Sequence, residues 1–469
     1  MSKKSGLSHT FMPLYLRWIL PILVVLSILF GIFVPGMNAE AHPENLQLND
    51  ADRLWVMISA ALVFTMQAGF LCLETGLTRN KHVISVALKN VADWCIASLC
   101  FYLLGFGLMY GESIHGLLGS NLFAFTDLNL PNTLPLGIVF FLFQLAYAGT
   151  ATTIVSGAMA ERTAFIPYLI ATAVVSALIF PIYGHWVWGD VFLNHNHAWL
   201  KQIGYVDFAG ASVVHIIGGT VSLMGIWLVG PRLGRFDRKG HLRKFEPSNI
   251  ALAGAGVLVL WLGWWGFNGG SLFQFKSSEV ASIILNTNMA GAAGALSAYL
   301  HGAFFQKQRD LMEKLIGGTL GGLVAVTALA NIVSPLGAIA TGILAGILHN
   351  LAFVFLSHKL KLDDPVGAVP VHAVCGSLGI LCVPLFGKAE LLPAGSRLAQ
   401  LGVQVLGLGV CLLWTCLTAG LMFFVLKKYI GLRVSPLEEM QGVSLARLLP
   451  EETPLTEAEL DSLLEAEHS

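Results

Sequence analysis

Apolar runs of about 20 residues alternate with short polar segments along most of this 469-residue chain. A run of that length matches an α-helix that crosses the hydrocarbon core of a membrane. After residue 50 the pattern predicts eleven such helices. They are expected at about 53–77, 83–109, 134–160, 164–188, 207–230, 249–273, 278–304, 314–331, 335–357, 367–386 and 399–426. The chain is therefore predicted to be an all-α membrane protein with eleven transmembrane helices.

The composition supports this fold class. Only 12% of the residues are charged and 55% are hydrophobic, with a mean hydropathy of +0.71. Soluble chains contain about 25% charged residues, so a soluble multidomain enzyme is excluded. The net charge of −1 gives no bias toward nucleic acid. The seven cysteines lie in apolar runs without ligand spacing, which predicts buried thiols rather than a disulfide or metal site.

The loops between the predicted helices alternate in charge. One set, together with the segment that follows the last helix, carries 17 Lys and Arg residues, whereas the other set carries five. Basic residues accumulate on the cytoplasmic side of a membrane. This asymmetry predicts a plasma-membrane protein with its amino terminus outside and its carboxyl terminus in the cytoplasm.

The amino-terminal segment, residues 1–41, has the features of a cleaved signal peptide. It contains two early lysines, a long apolar core and a small-x-small sequence at 39–41. An uncleaved first helix is the alternative. The expected organisation continues with an extracytoplasmic lead-in at 42–52, a membrane domain at 53–430 and an acidic cytoplasmic tail at 431–469.

A duplicated motif gives the membrane domain an internal symmetry. The segment DFAGASVVHIIGG begins at Asp207, and DPVGAVPVHAVCG begins at Asp364, with matching Asp, Gly, Ala, Val, His and Gly positions. Five predicted helices separate the two copies, so the copies cross the membrane in opposite directions. We therefore predict an inverted repeat, with five-helix halves at about 53–230 and 249–386 and one peripheral last helix.

The duplicated motif places one histidine in each half, His215 and His372. Each lies about 12 Å into its predicted helix, near the middle of the membrane. An ionisable residue at this depth is costly and indicates a functional role. We predict that the two neutral imidazoles pair in a pore. Isolated structural histidines and a zinc site are the alternatives, although no Cys or carboxylate has the spacing of a zinc ligand.

Polar and aromatic residues mark the predicted outer ends of two helices. Trp188 closes the fourth helix, and Phe267 and Ser271 close the sixth. Such groups bind a small cation through cation–π contact and hydrogen bonding. An aromatic belt at the lipid headgroups is the alternative. Asp207 and Asp364 begin their helices, where a carboxylate is expected to act as a cap.

Three charged residues interrupt the first two predicted helices. Glu74 lies in the first, and Lys89 and Asp93 lie four residues apart in the second, where they could pair. We interpret them as a structural network near the inner end of the bundle. The spans contain no nucleophile–base arrangement and no set of metal ligands, so neither an enzyme, a cofactor nor a metal is expected.

Five segments, taken in order, resemble motifs of the Amt/Mep/Rh ammonium transporter family over about residues 50–435. They are VSGAMAERT, DFAGASVVHI, GWWGFNGGS, NTNMAGAAGAL and DDPVGAVPVHAVCG. The resemblance implies a homotrimer with one narrow hydrophobic pore in each subunit. It also implies ammonium or ammonia as the substrate, with methylammonium as an analogue.

The resemblance also implies roles for individual residues. His215 and His372 correspond to the paired pore histidines. Trp188 and Ser271 correspond to the outer ammonium recruitment site, and Asp207 corresponds to the aspartate that organises that mouth.

The third predicted helix departs from the family pattern at the gate. The sequence AYAGTATT places Tyr147 where an aromatic wall of the recruitment site is expected. It places Ala151 where a gating phenyl ring, the partner of Phe267, is expected. Half of the gate is therefore missing at this position unless another side chain fills the gap. The variant resembles a branch whose members are sometimes attached to signalling domains.

These features predict an ammonium transporter that recruits ammonium, deprotonates it and conducts ammonia, with or without the proton, past the histidines. The alternative is an ammonium sensor that signals to a cytoplasmic partner with little flux. The start of the tail resembles the family's regulatory tail, which makes a PII-type regulator or another cytoplasmic partner an expected ligand. The acidic remainder departs from that pattern.

Overall fold

The computed structural model describes residues 48–125, 133–193, 196–306 and 311–442. The predicted signal peptide, 1–41, and the end of the tail, 443–469, lie outside the described residues.

Eleven long helices and one short tail helix form the described protein. They are α1 Asp50–Leu77, α2 Asn80–Tyr110, α3 Thr133–Ala158, α4 Phe165–Trp188, α5 Ala211–Val229, α6 Ile250–Gly270, α7 Ser277–Phe304, α8 Leu311–Val326, α9 Pro335–Lys359, α10 Val369–Phe386, α11 Arg397–Tyr429 and α12 Pro436–Gln441. A hairpin of β1 (Ser113–Ile114) and β2 (Leu118–Gly119) follows α2, and a four-residue helix, Trp199–Gln202, precedes α5.

Ten of these helices are long and apolar enough to cross a membrane, within the part of the chain that the structure describes. The predicted eighth span, about 314–331, coincides with α8, which has only 16 residues. Sixteen residues rise about 24 Å, less than the roughly 30 Å hydrocarbon core. The fold class is thus a multi-pass α-helical membrane protein, but the count of eleven spans is not confirmed.

Several helices begin with side-chain caps that sequence patterns favour. A side-chain oxygen accepts a hydrogen bond from an amide of the first turn, which otherwise has no partner in the helix. The capping residues are Asn49 of α1, Asn249 of α6, Ser334 of α9 and Ser396 of α11.

Close packing of small residues joins α1 to α6. A methyl group added to Gly256 would lie only 2.6 Å from the carbonyl oxygen of Gly69. Apolar surface alone does not drive helices together in lipid, so such close approach is what stabilises the pair.

The predicted duplication is visible in the packing. Helix α2 packs on α3 and α4, and five helices later α7 packs on α8 and α9. At the starts of α5 and α10, the equivalent glycines Gly210 and Gly367 both have positive φ angles, 106° and 72°. Both helices then begin with a π-helical turn that contains the motif histidine.

Buried ion pairs join the loops at the end of the bundle predicted to face the cytoplasm, which we call the charged end. Glu161 lies 2.6 Å from Arg79 Nε and 2.8 Å from Arg232 Nη1. Asp363 lies 2.8 Å from Arg232 Nε and 3.2 Å from Arg235 Nε. The network links the loops after α1, α3, α5 and α9.

The described start of the tail docks on the same end. The amide of Val434 donates to the carbonyl of Arg162 at 3.0 Å. Arg433 lies 2.8 Å from Glu439, which belongs to α12. The tail up to Gly442 is therefore part of the folded unit.

Replacing Glu161 with Gln is expected to destabilise the protein at neutral pH and to flatten its response to acid. Burial raises the pKa of Glu161, but Arg232 and Arg79 outweigh burial and lower it from 4.5 to about 2. A carboxylate with a depressed pKa stabilises the folded state above its ordinary pKa and loses that contribution as the pH falls. Thermal unfolding at pH values between 4.5 and 2 measures this contribution.

The matched control is Glu390→Gln, because Glu390 is exposed in the loop before α11. It should leave the pH dependence of unfolding unchanged. Parallel curves for the wild-type protein and Glu161→Gln would contradict the prediction.

Candidate functional site

The two motif histidines meet inside the bundle. Nδ1 of His372 lies 3.1 Å from Nδ1 of His215, and the ring centroids are 5.2 Å apart. Both side chains are buried. One imidazole must donate and the other accept, so the accepting ring is neutral, and burial disfavours a charge on the donating ring.

Two glycines of the repeated motif allow this meeting. Gly219 of α5 packs against the backbone nitrogen of Ala373, and a methyl group on Gly376 of α10 would lie 2.9 Å from the carbonyl oxygen of Ala211. Each glycine belongs to one copy of the motif and contacts the other copy. The helices therefore cross at equivalent points, which brings the histidines together.

Asp207 fixes the start of α5. Its Oδ1 accepts from the amides of Gly210 and Ala211, and its Oδ2 accepts from Ser212 and Val213. The Ser212 hydroxyl adds a further bond at 2.6 Å. This is the capping arrangement that its position at the start of the helix predicts.

A column of aromatic rings leads to the histidines from the end of the bundle that carries Trp188 and Ser271. Tyr147 stacks on Phe267 with centroids 4.0 Å apart, and Phe267 stacks on His215 at 5.4 Å. The imidazole pair continues the column, and Phe70 lies 6.4 Å beyond His372. At 4.0 Å the stacked faces of Tyr147 and Phe267 are in contact, so no molecule fits between them.

A vestibule of about 470 Å³ opens above the column. Trp188, Tyr147, Ser271 and Asp207 all line it. The Trp188 indole N–H donates to the backbone carbonyl of Asp207 at 2.9 Å, which fixes the indole at the vestibule wall. The structure thus brings the predicted recruitment residues together on one cavity.

Tyr147 supplies the ring that the sequence pattern lacks at Ala151. Its ring stacks on Phe267, and its hydroxyl donates to the Phe267 carbonyl and lies 2.8 Å from Ser271 Oγ. Ala151 is buried one turn further along α3, with its carbonyl against Gly218. The gap is therefore filled by a phenol rather than a phenyl ring, and the Ser271 hydroxyl is engaged by that phenol.

A small cavity of about 10 Å³ lies below the histidines, which is room for about one water molecule. His372 and Glu74 are its polar lining residues. Glu74 Oε2 accepts from Asn90 Nδ2 at 2.8 Å and from Ser156 Oγ. Sequence reasoning placed Glu74 in a structural network and missed this position beside the histidine.

Lys89 and Asp93 do not form the suggested pair. The Lys89 ammonium donates to the Thr163 carbonyl at 2.5 Å, and it lies 5.8 Å from the Tyr168 ring centroid. Asp93 instead accepts hydrogen bonds from hydroxyl groups. The donors are Thr152, Thr153, Tyr168 and Thr172. Residues four apart on a helix can contact each other, but Lys89 and Asp93 instead bond to groups on α3, on α4 and in the loop between them.

Two buried imidazoles lie between a vestibule and an inner cavity, inside a bundle of helices long and apolar enough to cross a membrane, which is the architecture of a polytopic membrane protein. Among the described residues, no group of three or more His, Cys, Asp or Glu side chains is placed to hold a metal ion.

Comparison with known proteins identifies the family. The model of the Ammonium Transporter Family matches residues 54–451. Ammonium transporter Amt2 of Archaeoglobus fulgidus is 38% identical over 445 residues, which covers 92% of this chain and 94% of the relative. A putative ammonium transporter of Synechocystis is 42% identical over 404 residues, covering 85% of this chain and 73% of the relative.

Solved structures agree. A protein described as "Sensor Amt Protein" is 44% identical, with a TM-score of 0.82, over 86% of this chain and 99% of its own. Mep2 of Candida albicans is 26% identical, with a TM-score of 0.73, over 82% and 86% of the two chains. This chain belongs to the ammonium transporter family, which confirms the resemblance found in the sequence and the prediction that it is not an enzyme.

Replacing Asp207 with Asn is expected to destabilise the protein by about 1–3 kcal/mol. An Asn amide would turn its NH₂ group toward donors that now meet a carboxylate oxygen, and a buried donor without a partner costs about this much. Thermal unfolding in detergent measures the loss.

The matched control is Asp364→Asn at the equivalent position of the other motif copy. Asp364 Oδ2 accepts from the Val369 amide, and its Oδ1 has no hydrogen-bond partner among the described residues. Its replacement should therefore cost less, and an equal or larger loss would contradict this account.

Proposed function

We propose that this protein transports ammonium across the plasma membrane into the cytoplasm. Ammonium binds in the vestibule, loses a proton, and crosses the ring column as ammonia past His215 and His372. The observation that carries the proposal is the buried imidazole pair, joined through Nδ1 between the vestibule and the small inner cavity.

The physical argument concerns the cost of dehydration. Moving a bare ion into an apolar column costs far more free energy than moving a neutral molecule of the same size. Ammonia needs only a few hydrogen-bond partners, which the imidazole nitrogens can supply. His215 Nε2 is buried and has no hydrogen-bond partner among the described residues, so it is available for such a contact.

Recruitment is assigned to the vestibule. Trp188 and Tyr147 offer aromatic faces, with ring centroids 6.1 Å apart, and Ser271 offers a hydroxyl. A small cation is attracted to such faces by the ring quadrupole. Methylammonium, which keeps the charge and adds one methyl group, is the expected analogue. Asp207 holds the indole and the start of α5 in place.

The gate is assigned to the stacked pair of Tyr147 and Phe267. Because the two rings lie 4.0 Å apart across the path, one of them must rotate before a molecule passes. The Tyr147 hydroxyl bonds resist that rotation. Ala151, one turn further along α3, carries only a methyl group where the family pattern has a second phenyl ring.

An ammonium sensor remains the second candidate function. It is favoured by the closed ring column and by the 44% identity to the chain described as "Sensor Amt Protein". In that case ammonium binds in the vestibule and the change is passed to a cytoplasmic partner with little flux.

Further proposals concern topology and assembly. The loop charges support an external amino terminus, a cleaved signal peptide at 1–41 and a cytoplasmic carboxyl terminus. Family membership supports a homotrimer. The tail segment docked at the charged end supports a site for a PII-type regulator or another cytoplasmic partner.

Replacing both His215 and His372 with Ala should abolish flux, because the column then has no imidazole to receive ammonia or its proton. Ammonium and methylammonium uptake into proteoliposomes is the measurement. His241→Ala is the matched control, since His241 is exposed in the loop before α6 and should leave uptake unchanged. Wild-type uptake by the double variant would refute the pore assignment.

Tyr147→Phe tests the gate and separates the two candidate functions. It keeps the stacked ring but removes hydrogen bonds worth about 0.5–1.5 kcal/mol, so the open population should rise by roughly twofold to tenfold. Ammonium-evoked current and ammonium binding are measured on one preparation. Tyr102→Phe, which removes a hydroxyl bonded to the Ala124 carbonyl on another face, is the control.

A transporter gives sustained current that increases in Tyr147→Phe. A sensor gives binding without sustained current in the wild-type protein. Reduced current in Tyr147→Phe with unchanged binding would show that the phenol is not the closing element.

A further inference from the structure

The small inner cavity contains a feature that simple ammonia conduction does not use. We propose that Glu74 and His372 form an inner ammonium site, where ammonia regains its proton and the new ammonium ion pairs with the Glu74 carboxylate. The inference rests on the proposed transport function and specifies where, inside the membrane, ammonia becomes ammonium again.

The cavity has the size and composition for this step. Its volume of about 10 Å³ accommodates about one water molecule, and ammonia is of similar size. Seven of its nine lining residues are apolar: Phe70, Leu73, Ile154, Leu320, Val366, Ala368 and Val371. The other two are His372 and Glu74, so a molecule in the cavity has one imidazole and one carboxyl group as its polar neighbours.

The bonding of Glu74 leaves its charge unneutralised. The side chain is 1% exposed, and its Oε2 accepts from two neutral donors, Asn90 and Ser156. On α2, Lys89 and Asp93 interact electrostatically with Glu74, but the hydrogen bonds of both go to other groups. A buried carboxylate without a bonded cation is costly, so the group carries a proton at rest and accepts a cation when that proton leaves.

Asp93 shows what a purely structural carboxylate looks like in the same bundle. Four hydroxyl groups donate to its two oxygens, and Asp93 is not among the residues that line the cavity. Glu74 differs in both respects. The contrast favours a role for Glu74 in the pathway rather than in packing alone.

The proposed step balances in atoms and charge. Ammonia that passes His372 takes the carboxyl proton, so that an O–H bond breaks and an N–H bond forms. The resulting ammonium ion leaves toward the charged end. The Glu74 carboxylate then takes a proton from His372, which receives one from His215 through the Nδ1 contact. The ammonium ion deprotonated in the vestibule supplies that proton, so each cycle moves one positive charge.

Glu74→Gln tests the inference because Gln keeps the size and the hydrogen-bonding oxygen but cannot exchange a proton. Full-length protein in liposomes is pulsed with ammonium on a solid-supported membrane. The peak current should fall by at least about tenfold, the usual scale for losing a positioned proton-transfer group. Asp93→Asn is the matched control and should retain current in the protein that folds.

Infrared difference spectroscopy supplies a readout that packing alone would not change. Adding ammonium to the wild-type protein should remove a protonated-carboxyl band and create a carboxylate band. The pair of bands should be absent in Glu74→Gln and retained in Asp93→Asn. Ser156→Ala, which removes one donor to Glu74, should shift the band and serves if Glu74→Gln does not fold.

Wild-type current in Glu74→Gln would overturn the inference, as would infrared bands that persist in that variant. Ammonium uptake without current in the wild-type protein would also overturn the inference. Absence of both ammonium uptake and ammonium current in the wild-type protein would instead refute the proposed transport function. The infrared measurement would then decide on its own whether Glu74 binds ammonium.

Discussion

The contact between His215 and His372 is the interaction on which the site depends. The two rings come from segments 157 residues apart and join through Nδ1 atoms 3.1 Å apart. Because the pair is neutral, it needs no counter-ion in a region where an isolated charge would be prohibitive. That freedom allows its surroundings to consist mainly of aromatic and aliphatic side chains. The glycine crossings and the Asp207 cap are the means by which two inverted segments reach this single point.

The cost of an isolated charge inside the membrane also explains where the charged residues lie. The densest ion pairs, around Glu161 and Asp363, lie in loops at one end of the bundle, where each carboxylate meets two guanidinium groups. Within the helices, Asp93 is held by four hydroxyl groups. Glu74 has fewer donors and lines the small inner cavity, so it has room beside it for a mobile cation.

Much of the fold and part of the site could be predicted because their signals are local or repeated. Apolar length predicted the helices, the Asp-to-His repeat predicted the imidazole pair, and the position of Asp207 predicted its cap. Features that depend on tertiary packing could not be predicted. Three such features are the short α8, the partners of Lys89 and the cavity at Glu74. They depend on how closely neighbouring helices approach, and the pattern of a single sequence does not give those distances. A carboxylate inside a membrane helix is costly, so the sequence did indicate an unusual environment for Glu74. A structural hydrogen-bond network would offset that cost as well as a cavity beside the pore histidine, so the sequence could not distinguish the two.

Tyr147, a departure from the family pattern, changes which interactions hold the gate closed. A phenyl ring stacked on Phe267 would close the path through packing alone. The phenol adds a hydroxyl that also contacts Ser271, so closure and the recruitment hydroxyl share one hydrogen-bond system. The phenol gives its one proton to the Phe267 carbonyl, so at the 2.8 Å contact the Ser271 hydroxyl is the donor. A cation that donates to the Ser271 oxygen polarises this hydroxyl, so binding in the vestibule is linked to a bond that holds the stacked ring in place. This linkage has the same physical basis whether the protein responds by conducting ammonia or by signalling, and it lies in the contact between Ser271 at the end of α6 and Tyr147 on α3.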